Sequence, residues 1–131
     1  MGSVLLDTTV VVDYLRGREG VRSRLRRLRV QGDGAFVSAV TVEEVSRGIR
    51  PHEEDEFIAL LGGLDLAPLG IPEGRLAGFW RGSHEKRGRT LSQADALIAA
   101  AAVGIGALLA TGNPKDFPMR GVEVEHWPAG E

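Results

Sequence analysis

No cysteine occurs among the 131 residues, which removes disulfides, zinc-thiolate sites, iron-sulfur clusters and thiol nucleophiles together. Histidine is almost as scarce. His52, His84 and His126 have no metal-ligand spacing with one another, so they are expected at the surface or in packing. Long apolar runs are missing too. The uncharged stretch from Ala96 to Pro114 is mostly alanine in its apolar part and carries Gly104 and Gly106, short of the about 20 strongly apolar residues of a membrane span. It reads as a buried helix followed by a buried strand, and no membrane partner is expected. Met1 to Leu6 lacks the basic flank and long apolar region of a secretory signal, so a cytoplasmic location is the expectation. What these absences leave open is oxygen chemistry.

The 16 basic and 18 acidic residues nearly cancel, and the length suits one domain over residues 1–131. The balance hides an uneven distribution. Seven arginines lie between Arg16 and Arg29 against one acid, Glu19, whereas Glu53 to Glu56 is four consecutive acids. Val21, Leu25 and Leu28 give the basic segment an inward stripe, so a solvated helix face accounts for the arginines by themselves. A local basic face can still hold phosphates on a weakly acidic protein, because the field that matters is the one around the contact.

The order of elements is readable. Val4 to Leu6 is a short apolar strand ended by Asp7, and Thr8 and Thr9 lead into a helix over Val10 to Leu15. The basic helix follows over residues 21–30, then a strand over Ala35 to Ser38 and a helix opened by Thr41. His52 to Leu61 is a further helix with an acidic start, and Leu64 to Leu66 a short strand. Pro72 opens a helix running to about Arg87, weakened by Gly74, Gly78 and Gly82. Ser92 starts the alanine-rich helix, Ala107 to Thr111 is a fourth strand, and Val122 to Val124 a last edge strand. Short apolar strands alternating with helices predict an α/β fold, a mostly parallel central sheet with helices on both faces. Sites in such folds gather at the carboxyl ends of the strands.

Four acids fall at such places. Asp7 follows the first strand, where it suits a metal ligand and equally an N-cap. Glu44 lies three residues after Thr41, and Asp95 three after Ser92; both spacings match capping boxes. An acid in a first helical turn is also held near the strand ends, so the two readings coexist. Glu43 points about 100° away around the helix from Glu44, which favours Glu44. Asp116 lies in the polar turn after the fourth strand, with Asn113, and serves as well for an ordinary turn. Carboxylates converging on one edge repel by about 4 kcal/mol per pair at 4 Å and an effective dielectric near 20. At neutral pH magnesium (Mg2+) or manganese (Mn2+) relieves that repulsion naturally.

In LLDTTVVVDYLRG, SAVTVEEVSRGI, GRTLSQADALIAAAA and LLATGNPKDF, in that order and spacing over nearly the whole chain, the protein resembles PIN-domain ribonucleases, in particular the VapC-type toxins of toxin-antitoxin pairs. The resemblance implies a single PIN-like domain and metal-assisted hydrolysis of RNA, with in-line attack by water leaving a 5′-phosphate and a 3′-hydroxyl. By motif, the metal-binding and catalytic acids fall on Asp7, Glu44 and Asp95, with a fourth position at Asp116 or alternatively Asn113. The arginine-rich helix with Arg16, and Lys86, Arg87 and Arg89, then become phosphate-holding candidates, since an acid cluster alone repels its substrate. A small antitoxin partner and a homodimer are implied as well, and Phe57, Phe79 and Trp80 are expected to be shared between core and interface. Two departures stand out: Thr9 where Asn or Ser is frequent, expected to matter little, and Gly112 where an Arg often precedes the Asn. Two rival readings are a phosphoacceptor signalling domain, with Lys115 as its lysine, and a catalytically weak RNA- or protein-binding module of the same fold.

Overall fold

The computed structural model describes residues 2–130; Met1 and Glu131, the ends of the expected domain, lie outside the described residues. Five strands form one sheet: β1 (Ser3–Leu6), β2 (Gly34–Ser38), β3 (Asp65–Ala67), β4 (Leu108–Thr111) and β5 (Val124–His126). Their order is β3-β2-β1-β4-β5, and every pairing is parallel. Parallel neighbours need crossover connections, which the helices supply: α1 (Thr8–Leu15), α2 (Glu19–Val30), α3 (Ala39–Gly48), α4 (Glu54–Gly62), α5 (Ile71–Glu85) and α6 (Gln93–Gly104). The α/β expectation therefore holds.

Alternation along β1 divides the core into two layers. Leu5 faces one side, where Ala77 and Trp80 of α5, the alanines of α6, Leu109, Phe117 and Met119 pack together. Val4 and Leu6 face the other, against Val10, Val21, Leu25, Val45, Phe57 and Trp127. Burial on both faces explains why the strands read as continuous apolar runs. No helix among the described residues is long and apolar enough to cross a membrane.

Several local expectations are corrected. The cap of α3 is Ser38, whose hydroxyl accepts from Thr41 N at 3.3 Å, so the helix starts at Ala39 and the Thr41-Glu44 capping box does not form. The helix expected from His52 begins as a short 3-10 turn, Pro51–Glu53, and its acidic start, Glu54 to Glu56, is the first turn of α4. The edge strand lies at Val124–His126 rather than 122–124, because Trp127 N donates to Thr111 O (2.8 Å) and Leu109 N to Glu123 O (2.8 Å). Phe57 and Trp80 are core residues, whereas Phe79 is 71% exposed.

Because the chain builds β2 and β3 on one flank of β1 and then β4 and β5 on the other, the strand order reverses between β1 and β4. In folds of this kind sites gather at that switch point, outside the carboxyl ends of the strands. Asp7 stands there.

Candidate active site

Asp7 is the N-cap of α1 and only 3% exposed. Its Oδ1 accepts from Val10 N (3.1 Å) and from the Thr9 hydroxyl (2.6 Å), and its Oδ2 accepts from the Thr111 hydroxyl (2.6 Å). A carboxylate offers about four lone-pair positions, so three donors fix it while leaving room for another ligand. The capping reading and the ligand reading thus describe the same geometry. Burial pushes the Asp7 carboxyl above its ordinary range, partly countered by the Thr111 and Thr9 hydroxyls.

Glu44 comes from the second turn of α3 and is held from Thr8, whose hydroxyl donates to Glu44 Oε1 at 2.6 Å and also meets Thr41 Oγ1 at 3.2 Å. Glu43 is exposed and turned toward the start of α6, lining a cavity with Gln93 and Ala94. Thr8 and Thr9, consecutive in the chain, therefore orient one acid each.

Asp95 is half-buried in the first turn of α6, where Ser92 Oγ accepts from Asp95 N at 3.0 Å. Its carboxyl is raised first by burial and then by the negative charges of Asp116, Glu44 and Asp7. Asp95 thus lies within reach of the charge of three acids from distant parts of the sequence. The two alternatives for the fourth position are themselves bonded, Asn113 Nδ2 donating to Asp116 Oδ2 at 3.0 Å, and both are exposed.

The turn after β4 is latched onto the same centre. Asn113 N donates to Thr111 Oγ1 (3.0 Å) and Gly112 N to Thr9 Oγ1 (2.8 Å). The hydroxyl that Thr9 keeps where Asn or Ser is frequent joins Asp7 to this turn. A Cβ on Gly112 would lie 3.2 Å from Thr9 Oγ1 and 3.7 Å from Asp13 Oδ2, so the small residue and the threonine fit one another. Asp13 is an acid at this edge that sequence reasoning missed; burial raises its carboxyl, and Arg18 and Arg16 counter that. Its signal was the spacing Thr9 to Asp13, one turn apart on one face of α1. Thr111 was also missed, a wholly buried hydroxyl at the end of an apolar strand.

None of the ion pairs among the described residues involves Asp7, Glu44, Asp95 or Asp116. Uncompensated, all-oxygen and mutually repelling, the set has the chemistry of a hard-cation centre. As they lie, no three acids or histidines among the described residues are close enough to cage one ion. That spacing fits a cation held by one or two carboxylates that keeps most of its water.

The basic residues divide. In α2, Arg22 pairs with Glu56 (2.9 Å), Arg26 with Glu19 (2.6 Å) and Arg24 with Glu125 (3.7 Å), so much of that helix's charge is answered within the protein. Arg16 is different: it lines a cavity of about 130 Å3 together with Glu44. Arg87 and Arg89 are exposed and line another cavity with Arg120.

Comparison with known proteins gives a consistent picture. The PIN domain profile matches residues 4–118. The chain is 37% identical over 122 residues to Ribonuclease VapC19 of Mycobacterium tuberculosis, spanning 88% of this chain and 92% of that one. In fold it is similar to VapBC2 from Rickettsia felis bound to a DNA fragment from its promoter, at a TM-score of 0.82 and 21% identity over 95% of this chain and 98% of that one. A toxin-antitoxin complex from Klebsiella pneumoniae is also similar, at a TM-score of 0.74 and 24% identity over 93% and 95% of the two chains.

Proposed function

The chain belongs to the PIN domain family, and from that premise we propose that it is an endoribonuclease, the toxin of a toxin-antitoxin pair, working with magnesium or manganese. Asp7 carries the reading: a carboxylate buried at the switch point, fixed by three protein donors and, among the described residues, answered by no cation. Asp7 with one of Glu44 and Asp95 would hold the ion directly, and the remaining acid, with Asp116 or Asn113 at the fourth position, would reach it through its waters. A divalent cation bound there acidifies a water and neutralises charge on the phosphate under attack.

The chain's own residues do the rest. Thr9, Thr111 and Val10 N orient Asp7, Thr8 orients Glu44, and Ser92 caps the helix that presents Asp95. Arg16, Arg87 and Arg89 supply positive charge for backbone phosphates, offsetting the repulsion that four acids exert on RNA. The phosphoacceptor reading finds no support here, since Lys115 is not among the partners of Asp7. A cognate antitoxin covering the acidic edge, a homodimer and a cytoplasmic site of action complete the proposal.

The test is the isosteric Asp7→Asn variant. With excess magnesium, purified wild type cleaves RNA and the variant loses at least about a hundredfold in rate, while circular dichroism stays unchanged. RNA ends mapped after brief induction of wild type against variant identify the cut sites. Full cleavage by the variant contradicts the assignment, and RNA binding without metal-dependent turnover by wild type favours the weak binding module instead.

A further inference from the structure

The end of α5 and the segment after β4 enclose a cavity of about 510 Å3 lined by Phe79, Trp80, His84, Arg87, Arg89 and Arg120. Among the described residues no acid lines it, and none of its three arginines belongs to an ion pair. A concentration of unanswered positive charge in a concave wall attracts an anion.

The wall is fixed by the way α5 ends. Gly88, at φ +73°, reverses the chain, Arg89 N donates to His84 O (2.9 Å) and Gly88 N to Glu85 O (3.0 Å). That pair of bonds is the glycine-terminated helix end that satisfies the last carbonyls. It holds Arg87 and Arg89 on either side of Gly88 with both side chains on the cavity.

Two further features point to a ligand richer than a simple anion. His84 is 5% exposed, and its buried Nδ1 has no hydrogen-bond partner, although buried polar nitrogens are ordinarily paired. Phe79, beside the buried Trp80, leaves 71% of its surface exposed, an aromatic face of the kind on which unpaired bases stack. Anion-binding arginines, an aromatic face and an unpaired ring nitrogen together match a nucleotide. The cavity also comes close to Asp116: Pro118, on its rim, follows Asp116 by two residues, at most ~7 Å of extended chain.

We propose that this cavity holds one unpaired nucleotide of the RNA strand next to the cleavage centre, its base against Phe79, its phosphate on Arg87, Arg89 and Arg120, and its base edge on His84 Nδ1. The inference rests on the ribonuclease reading and adds to it a subsite that selects a base near the cut.

The test titrates the full-length, metal-free protein in EDTA with each of the four nucleoside 5′-monophosphates and with inorganic phosphate, following the His84 ring nitrogens by 15N NMR. At least one nucleotide is expected to bind about tenfold more tightly than phosphate and to move the His84 Nδ1 resonance. Phe79→Ala and Arg120→Ala, both at exposed positions, each weaken that binding about tenfold and raise KM for RNA cleavage with kcat little changed. Failure of every nucleotide to bind, equal binding by phosphate, or undiminished binding in both variants overturns the proposal. Cleavage by wild type with unaltered KM in both variants removes the subsite and leaves the ribonuclease standing. Phe79-dependent nucleotide binding in a protein that cuts no RNA does the reverse.

Discussion

Asp7 is held by two side-chain hydroxyls of very different origin, Thr9 two residues away and Thr111 from the far end of the chain. Replacing Thr111 by Val keeps the shape and deletes the donor, leaving Asp7 Oδ2 buried without its partner. A cost of about 1–3 kcal/mol follows, measurable by urea unfolding of the metal-free protein, together with a fall in metal-dependent cleavage. Asp95 gives a prediction of opposite sign. Its carboxyl is raised by burial and by Asp116, Glu44 and Asp7, so its contribution to stability is fully present below its unfolded value and is lost as pH rises through the higher folded value. At neutral pH the ionised Asp95 therefore disfavours the metal-free fold. Asp95→Asn raises the melting temperature in EDTA near pH 7.5, and the difference shrinks as pH falls toward the ordinary aspartate range. An unchanged gap at pH 4 contradicts this. At this scale the sequence located the acids well, because strand ends and helix starts are local signals. Thr111 and Asp13 stayed hidden: the role of a hydroxyl at the end of an apolar strand depends on a partner 104 residues away.

Among the elements, α5 is the one whose composition argued against it. Gly74, Gly78 and Gly82 weaken a helix, yet Ala77, Trp80 and His84 bury the opposite stripe and hold it for fifteen residues. The glycines recur every fourth position on an exposed face, and a Cβ at each would meet nothing within 4 Å. Gly78→Ala therefore stabilises the isolated chain by about 0.5–1 kcal/mol, read as an upward shift of the urea midpoint. A downward shift means the face is covered in solution. The start of α3 and the position of β5 were misread for a common reason. Thr41 and Ser38 are both able caps, and only the register of β2 decides that Ser38 ends the strand. A three-residue edge strand has too few positions to show alternation, so its place is set by its backbone bonds to β4.

For the whole molecule, the α/β class and the placing of distant acids along one edge of the sheet were legible because apolar strands and intervening helices leave few ways to cover a parallel sheet. The distribution of charge was less so. Arginines that look alike in sequence separate once partners are known, Arg26 being answered by Glu19 and Arg87 and Arg89 by no acid among the described residues. RNA binding in EDTA should accordingly lose about one unit or more of salt slope in the Arg87→Ala, Arg89→Ala double variant. Arg26→Ala, which removes an exposed ion pair of small value, should leave the slope nearly unchanged. Equal losses in both variants would place the RNA across α2 instead.

Placing β1 in the middle of the sheet also bears on how the protein is made. Asp7 leaves the ribosome more than a hundred residues before the strand that flanks it on one side and the Thr111 hydroxyl that fixes it. A nascent chain halted before residue 108 carries Asp7, Glu44 and Asp95 without the wall that aligns them. The geometry around Asp7 is thus completed only once the fourth strand has been made.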